Sequence, residues 1–409
     1  MHPRETNVRR PPPLRVAVVA SSLRLGGAEK QTFYAARALT QAGVEVRLFY
    51  LGTGGYYEPL LRRAGITVQP IFFPNRRWTI LRGLVAAFRR WRPAVVLVSQ
   101  FGDLLYGGLA GRLCRALVVG GVRSDGFYEL RSHGLLSGPM LSFTHGLIAN
   151  SCRARRNLLQ RGVTHRRIAV LPNVIDLADF DRRAILPVPV ALPPGRLIAV
   201  AVGSLHPCKR LDRFVEAVAI ARRQTPALAG VIAGADHGAQ AALRAQAHRL
   251  GLAPPDLCFT GECTEVPALL ARAGCLVLCS DYEGFPNVLL EAMAARLPVV
   301  TTPAGDAAVV ARDGLTGYVV TSQDPDDLAA PLVRLAQSTP LRTAFGEAGR
   351  NRVERAYSYA TLARRLLGVL GGLAQINRRP GLSDRLTEVL RPRDPQSLSP
   401  RWVMDGQLA

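Results

Sequence analysis

The most telling pair of carboxylates in this chain is Glu283 and Glu291, the two ends of Glu283-Gly284-Phe285-Pro286-Asn287-Val288-Leu289-Leu290-Glu291. Gly284 and Pro286 mark a turn, and Asn287 to Arg296 read as a helix, so the second carboxylate falls about two helical turns beyond the first. A helix N-terminus carries backbone N–H groups without intrahelical partners and a partial positive charge, which together seat a phosphate. Carboxylates beside that seat accept hydrogen bonds from hydroxyls. A ligand with both hydroxyls and phosphates, such as a nucleotide-sugar, matches this chemistry. The plainer alternative is that Glu291 only caps or solvates its helix.

Two further loops carry the same kind of chemistry. Gly203-Ser204-Leu205-His206-Pro207-Cys208-Lys209-Arg210 follows a strand-like run, Arg196 to Val202, and precedes a helix-like one. Lys209 is one of only two lysines, the other being Lys30, and at this strand end a flexible cation reaches a pyrophosphate. Leu25-Gly26-Gly27-Ala28-Glu29 occupies the corresponding place after Leu14 to Ala20. Its glycines let a ligand approach the backbone. It is not a G-x-G-x-x-G fingerprint, and no acidic partner stands at a convincing distance, which argues against NAD.

The elements that must hold these loops alternate strand and helix, the pattern of a doubly wound parallel sheet. Strand-like runs lie at Val44 to Leu51, Ala94 to Val98, Ala116 to Gly120 and Leu147 to Ala149. The stretch Ile185 to Gly195 is rich in Pro and Ala and reads as a linker, after which a second βα series begins. That gives two α/β domains, 14–185 and 196–356, facing a cleft at their strand C-termini. Residues 1–13 read as a disordered leader and 357–375 as an amphipathic helix packing back on the first domain. Residues 376–409 read as a polar tail.

Composition narrows the class. At 409 residues, with 48% apolar and 20% charged residues, the chain suits two packed globular domains. No run approaches the length of a bilayer span, and the N-terminus lacks the apolar centre of a secretory signal. The seven cysteines include no C-x-x-C pair, which fits reduced thiols in cytosol and gives no zinc site. No D-x-D triplet is persuasive as a metal motif, so an essential divalent cation is not expected, nor is any other cofactor.

Taken together and in order, several strings resemble glycosyltransferase family 4, of the GT-B fold, over residues 14–375. They are Gly26-Gly27-Ala28-Glu29, Ile148-Ala149-Asn150-Ser151, Leu171-Pro172-Asn173-Val174-Ile175-Asp176, Gly203 with Lys209, and the extended Ser280 to Ala292 segment. The resemblance implies two Rossmann-like domains and a retaining transferase using a UDP- or GDP-sugar donor. It implies that Glu291 binds the donor ribose and Glu283 the transferred sugar. Lys209 and the backbone of Gly284, Phe285, Pro286, Asn287 and Val288 would hold the leaving diphosphate. Gly26 and Gly27 would complete the phosphate cradle, and Glu265 and Val266 would meet the base. Two departures stand out. Many members have Arg where this chain has Ser204, so one diphosphate cation is missing or is supplied elsewhere, with Arg210 next to Lys209 as a candidate. Many also place a His where this chain has Gly121-Val122-Arg123-Ser124-Asp125-Gly126. Arg123 and Asp125 become the candidate acceptor or sugar contacts, with His133 and His145 as nearby alternatives.

Charge is uneven: residues 1–183 hold 28 Lys/Arg against 10 Asp/Glu, a net of +18, and the remainder nets only +4. Arg62, Arg63, Arg76, Arg77, Arg82, Arg89, Arg90 and Arg92 cluster with Trp78 and Trp91, and Arg153 to Arg167 form a second group. An anionic membrane surface fits this asymmetry, placing the protein at the inner face of the cytoplasmic membrane with a lipid-linked, polysaccharide or other glycan acceptor. Nucleic acid fits less well, because aromatics are only 6% and no stacking motif is visible. A catalytically silent nucleotide-sugar binder and a sugar-nucleotide epimerase are the competing readings.

Overall fold

The computed structural model describes residues 13–71 and 77–390. The leader 1–12, Arg76 and the segment 391–409 therefore lie outside the described residues. The first domain is built on β1 (Arg15–Ala20), β2 (Glu45–Tyr50), β3 (Thr67–Pro70), β4 (Val95–Val98), β5 (Leu117–Val122), β6 (Gly146–Ala149) and β7 (Ile168–Val170). The second holds β8 (Leu197–Val202), β9 (Leu228–Ala233), β10 (Leu257–Gly261), β11 (Cys275–Leu278), β12 (Val299–Thr301) and β13 (Gly317–Val319). Both sheets are parallel, in the orders β3-β2-β1-β4-β5-β6-β7 and β10-β9-β8-β11-β12-β13.

The apolar runs of the central strands become parallel strands because helices cover both faces. Side chains of β1 alternate accordingly. Val16 and Val18 join the core beneath helix Gly27–Gln41, while Ala17 and Val19 face the core that contains Leu84 and Phe88. In β8, Ala199 and Ala201 pack on the side of helix Leu211–Arg222, and Ile198 and Val200 on that of helix Asn287–Ala294. Of the two tryptophans grouped with the basic residues, Trp91 is buried and donates its indole N–H to Glu45 at 2.9 Å, while Trp78 is exposed.

The Pro-rich stretch 185–195 does not separate the domains. Val188, Val190 and Leu192 lie against the second-domain core, as does Phe180 in the preceding helix Leu177–Ala184. The chain instead crosses where Val174 belongs to the first core and Ile175 to the second. It returns beside the same point, since Ile175 N–H donates to Tyr357 O and Tyr359 N–H to Ile175 O, both at 2.9 Å. Composition favoured a linker rich in Pro, but a two-stranded crossing with satisfied backbone is what joins the domains. Arg37 braces it: its guanidinium binds the Asp176 carboxylate, donates to Tyr359 Oη at 2.9 Å and stacks 4.2 Å from that ring.

Helix Leu362–Ile376 puts Leu362, Leu366, Leu367 and Leu370 into the first-domain core. The stretch beginning at residue 376 is not all polar tail. Helix Pro380–Glu388 packs on the preceding helix through the buried Leu386.

Candidate active site

A parallel sheet offers a crevice where its strand order reverses, outside the strand C-termini. The second sheet reverses between β8 and β11, and the residues that follow these two strands meet there. Lys209, after β8, places Nζ 2.6 Å from Glu283 Oε1, after β11. Ser280 Oγ donates to the same carboxylate oxygen at 2.8 Å. Gly203 adopts φ +152, a backbone that side chains disfavour, and what a Cβ there would meet is Lys209 Cε at 3.9 Å.

Across the cleft, Lys30 Nζ lies 2.6 Å from Glu291 Oε1. Burial works against the Lys30 charge, but Glu291 and Tyr34 more than offset it, so the ammonium titrates above its ordinary range. Each of the two lysines of this chain is thus spent on one of the two motif glutamates. Sequence reasoning missed Lys30 as a site residue, although its rarity was a signal.

The domains approach closely around the same motif. Asn287 Oδ1 accepts from Asn173 Nδ2 at 2.9 Å and from Gln31 Nε2 at 3.3 Å. A Cβ at Gly27 would stand 2.5 Å from Asn287 Nδ2, and one at Gly284 would stand 2.4 Å from the Arg123 carbonyl oxygen. Asp306 accepts from the N–H groups of Cys152 and Arg153 at 2.7 and 3.0 Å, capping a first-domain helix from the second domain. Alanine at Gly284 therefore forces these backbones apart. It is expected to lower kcat/KM by about 10²-fold, the scale of a 1 Å misplacement, with an unchanged circular dichroism spectrum. Unaltered steady-state kinetics would show that the approach is irrelevant to turnover.

The other expected residues are placed as follows. Arg210 is held by Asp212 at 2.8 Å and Asp281 at 3.3 Å. Glu265 pairs with Arg183 at 3.0 Å and precedes the helix that starts at Val266. Phe285 is buried in the second core. Arg123 reaches the cleft wall, with Nε donating to Ser99 O at 3.2 Å, and burial pulls its pKa down to about 10. Asp125 accepts from Tyr128 N–H at 2.7 Å and so caps a helix start. His133 meets Phe101 edge-on, and His145 lies at the opposite, N-terminal end of the strands, before β6.

The first sheet reverses between β1 and β4, and beyond the Gly26-Gly27-Ala28-Glu29 loop that follows β1, sequence reasoning gave no role to Ser21 or Asp103 there. Ser21 Oγ donates to Asp103 Oδ1 at 2.5 Å, and Asp103 Oδ2 has no hydrogen-bond partner among the described residues. Burial, reinforced by Glu29 and opposed by Ser21, pushes the Asp103 carboxyl up to about 7. Beside it Glu29 Oε1 accepts from Ser22 Oγ at 3.2 Å and Gln100 Nε2 at 3.4 Å. These groups exchange hydrogen bonds with hydroxyls but repel anions. Among the described residues no group of three or more His, Cys, Asp or Glu is placed to hold a metal ion, and no helix is long and apolar enough to cross a membrane.

Two Rossmann-like domains with facing switch points define the GT-B class. Residues 25–179 match the family model Glycosyltransferase Family 4, and residues 183–352 match Glycosyl transferases group 1. The chain belongs to this glycosyltransferase family. The D-inositol 3-phosphate glycosyltransferase of Streptomyces bingchenggensis is 31% identical over 51% of this chain and 49% of its own length. That of Salinispora tropica is 26% identical over 88% of this chain and 84% of its own. The chain thus spans about half the length of the curated relatives it first matches. Anabaena HepE, solved with UDP and glucose, has the same fold, with a TM-score of 0.75 at 19% identity over 87% of this chain and 99% of that one.

Proposed function

We propose that the chain is a retaining hexosyltransferase that moves a sugar from a UDP- or GDP-sugar to a glycan, lipid-linked or phosphorylated polyol acceptor. The observation that carries this reading is the Lys209–Glu283 pair at the second switch point, together with the Lys30–Glu291 pair that joins the first domain to the same motif. In the bound state the diphosphate competes with Glu283 for the Lys209 ammonium, freeing the carboxylate to accept from hydroxyls of the transferred sugar. Glu291 accepts from the ribose, and the N–H groups at the start of helix Asn287–Ala294 face the phosphates. As the glycosidic bond lengthens, negative charge gathers on the leaving phosphate, where Lys209 stabilises it. The same phosphate takes the acceptor proton, so attack comes from the face it vacates and the anomer is retained.

The acceptor enters at the first switch point, where Ser21, Gln100 and Glu29 suit hydroxyls and Arg123 suits an adjoining anion. No bound metal is required, so turnover is expected to persist in EDTA. The basic first half favours peripheral attachment to the inner leaflet of the cytoplasmic membrane.

A thermal-shift screen of UDP-, GDP- and ADP-sugars tests the donor, since a ligand selective for the folded state raises Tm by mass action. The stabilising donor is then offered D-inositol 3-phosphate and lipid-linked glycans, and the product anomer is assigned by NMR. A β-linked product from an α-linked donor would rule out retention. Tight donor binding with neither transfer nor donor hydrolysis would leave a silent binder.

A further inference from the structure

The first domain carries a second polar cluster at the N-terminal edge of its sheet, away from the cleft. His145, immediately before β6, is only 7% exposed. Its Nδ1 accepts from Val118 N–H at 2.9 Å. A neutral imidazole whose Nδ1 accepts carries its proton on Nε2. That N–H faces Arg112 Nη1 and, at 3.3 Å, Arg379 Nη2. Guanidinium groups only donate, so three donors converge with no acceptor between them.

The surrounding charge does not resolve this. Arg167 donates to Thr144 Oγ1 at 3.1 Å and to the carbonyls of Leu141 and Thr144, and Arg379 donates to Arg115 O at 2.9 Å. Neither Arg112, Arg167 nor Arg379 forms an ion pair with Asp or Glu among the described residues. Burial, then Arg112, pulls Arg167 and Arg379 below their usual range, and burial with all three arginines brings His145 down to about 4. The imidazole is therefore neutral in cells. Like charges gathered without a counter-ion cost free energy that a bound anion would recover.

We propose that His145, Arg112, Arg379 and Arg167 form a phosphate-binding site on the edge of the first domain opposite the cleft. A phosphate group presents several ionised acceptor oxygens and carries one to two negative charges near neutral pH. It accepts from the His145 Nε2–H and from both guanidinium groups, and Arg binds it through paired N–H donors. Arg112 is exposed and free to re-aim toward a bound oxygen. Arg379 links the last two helices, so an occupied site also pins them to the first domain. The phosphate comes either from an anionic phospholipid headgroup or from a soluble phosphorylated molecule. The site stands whether or not the cleft transfers sugar.

The test is thermal unfolding with inorganic phosphate titrated at constant ionic strength, on the wild type, R112Q/R379Q and K209Q, the last removing the cation of the second switch point. Wild type and K209Q are expected to gain Tm with phosphate, and the double variant to need at least tenfold more phosphate for the same gain. Without phosphate the double variant is expected to melt at or above the wild type, because repulsion is relieved, which also shows that it folds. Sedimentation with phosphatidylglycerol and phosphatidylcholine vesicles separates the sources. Binding to the anionic vesicles that the double variant loses assigns the site to a headgroup, and a phosphate response without a vesicle difference assigns it to a soluble ligand. Indifference of the wild type to both probes, or a double variant that responds as the wild type does, overturns the site.

Discussion

Replacing Lys209 with glutamine is expected to lower kcat by about 10²- to 10³-fold, roughly 3–4 kcal/mol of transition-state stabilisation, with a much smaller change in donor KM. The reasoning rests on where charge develops. In the proposed ground state the donor diphosphate would already bear its charges and be partly satisfied by the helix N-terminus at Asn287. In the proposed transition state a further negative charge would grow on the leaving oxygen beside Lys209 of the second switch point, while Arg210 is paired with Asp212 and Asp281. Its side chain is only 26% exposed, so the interaction is not reduced to that of a solvated pair. The measurement is single-turnover transfer with the donor identified by thermal shift. A rise in KM with kcat intact would move Lys209 from the chemical step to simple donor binding.

The site was legible to the degree that its parts are local in sequence. The Glu283 to Glu291 string and the loop holding Gly203 and Lys209 each lie within one strand-to-helix turn, where spacing alone carries meaning. Lys30 escaped because its partner Glu291 is 261 positions away, and only the domain approach brings them together. Asp103 escaped for the same reason. A single Asp after β4 has no special meaning until β1 becomes a neighbour and supplies Ser21.

Fold reading shows the same division. The central strands announce themselves as continuous apolar runs, because helices cover them on both faces. The edge strands β3, β7 and β13 bury one residue each and have no such run, so they were not visible. The crossing between domains was misplaced because Pro content is a local signal, whereas the crossing is set by pairing between Ile175 and Tyr357–Tyr359. Helix Pro380–Glu388 hid behind a polar composition in which Leu386 alone is buried.

Asp103 leads to the second large effect, on stability. Its carboxyl titrates at about 7 in the fold against 3.8 ordinarily, so the folded chain holds that proton more tightly than the unfolded chain. The resulting contribution is fully present below 3.8 and is lost as pH rises to about 7. Each unit of the shift is worth about 1.4 kcal/mol, so the loss across the window approaches about 4 kcal/mol as an upper value. Above it, the wild type carries a buried carboxylate with one oxygen unpartnered. Asp103→Asn keeps the shape and an oxygen for Ser21 without the charge. Urea unfolding at about pH 5 and about pH 8 is expected to show the variant gaining on the wild type by a few kcal/mol at the higher value. The difference between the two proteins cancels every other titration, so parallel pH profiles would mean that Asp103 ionises at no cost to the fold. The same charge sits where the acceptor is proposed to enter, which ties the two readings: a neutral Asp103 below about 7 leaves Glu29 as the principal anion of the first switch point. Acceptor affinity measured across that range should then differ between wild type and Asp103→Asn only above it, while donor affinity should not differ at all.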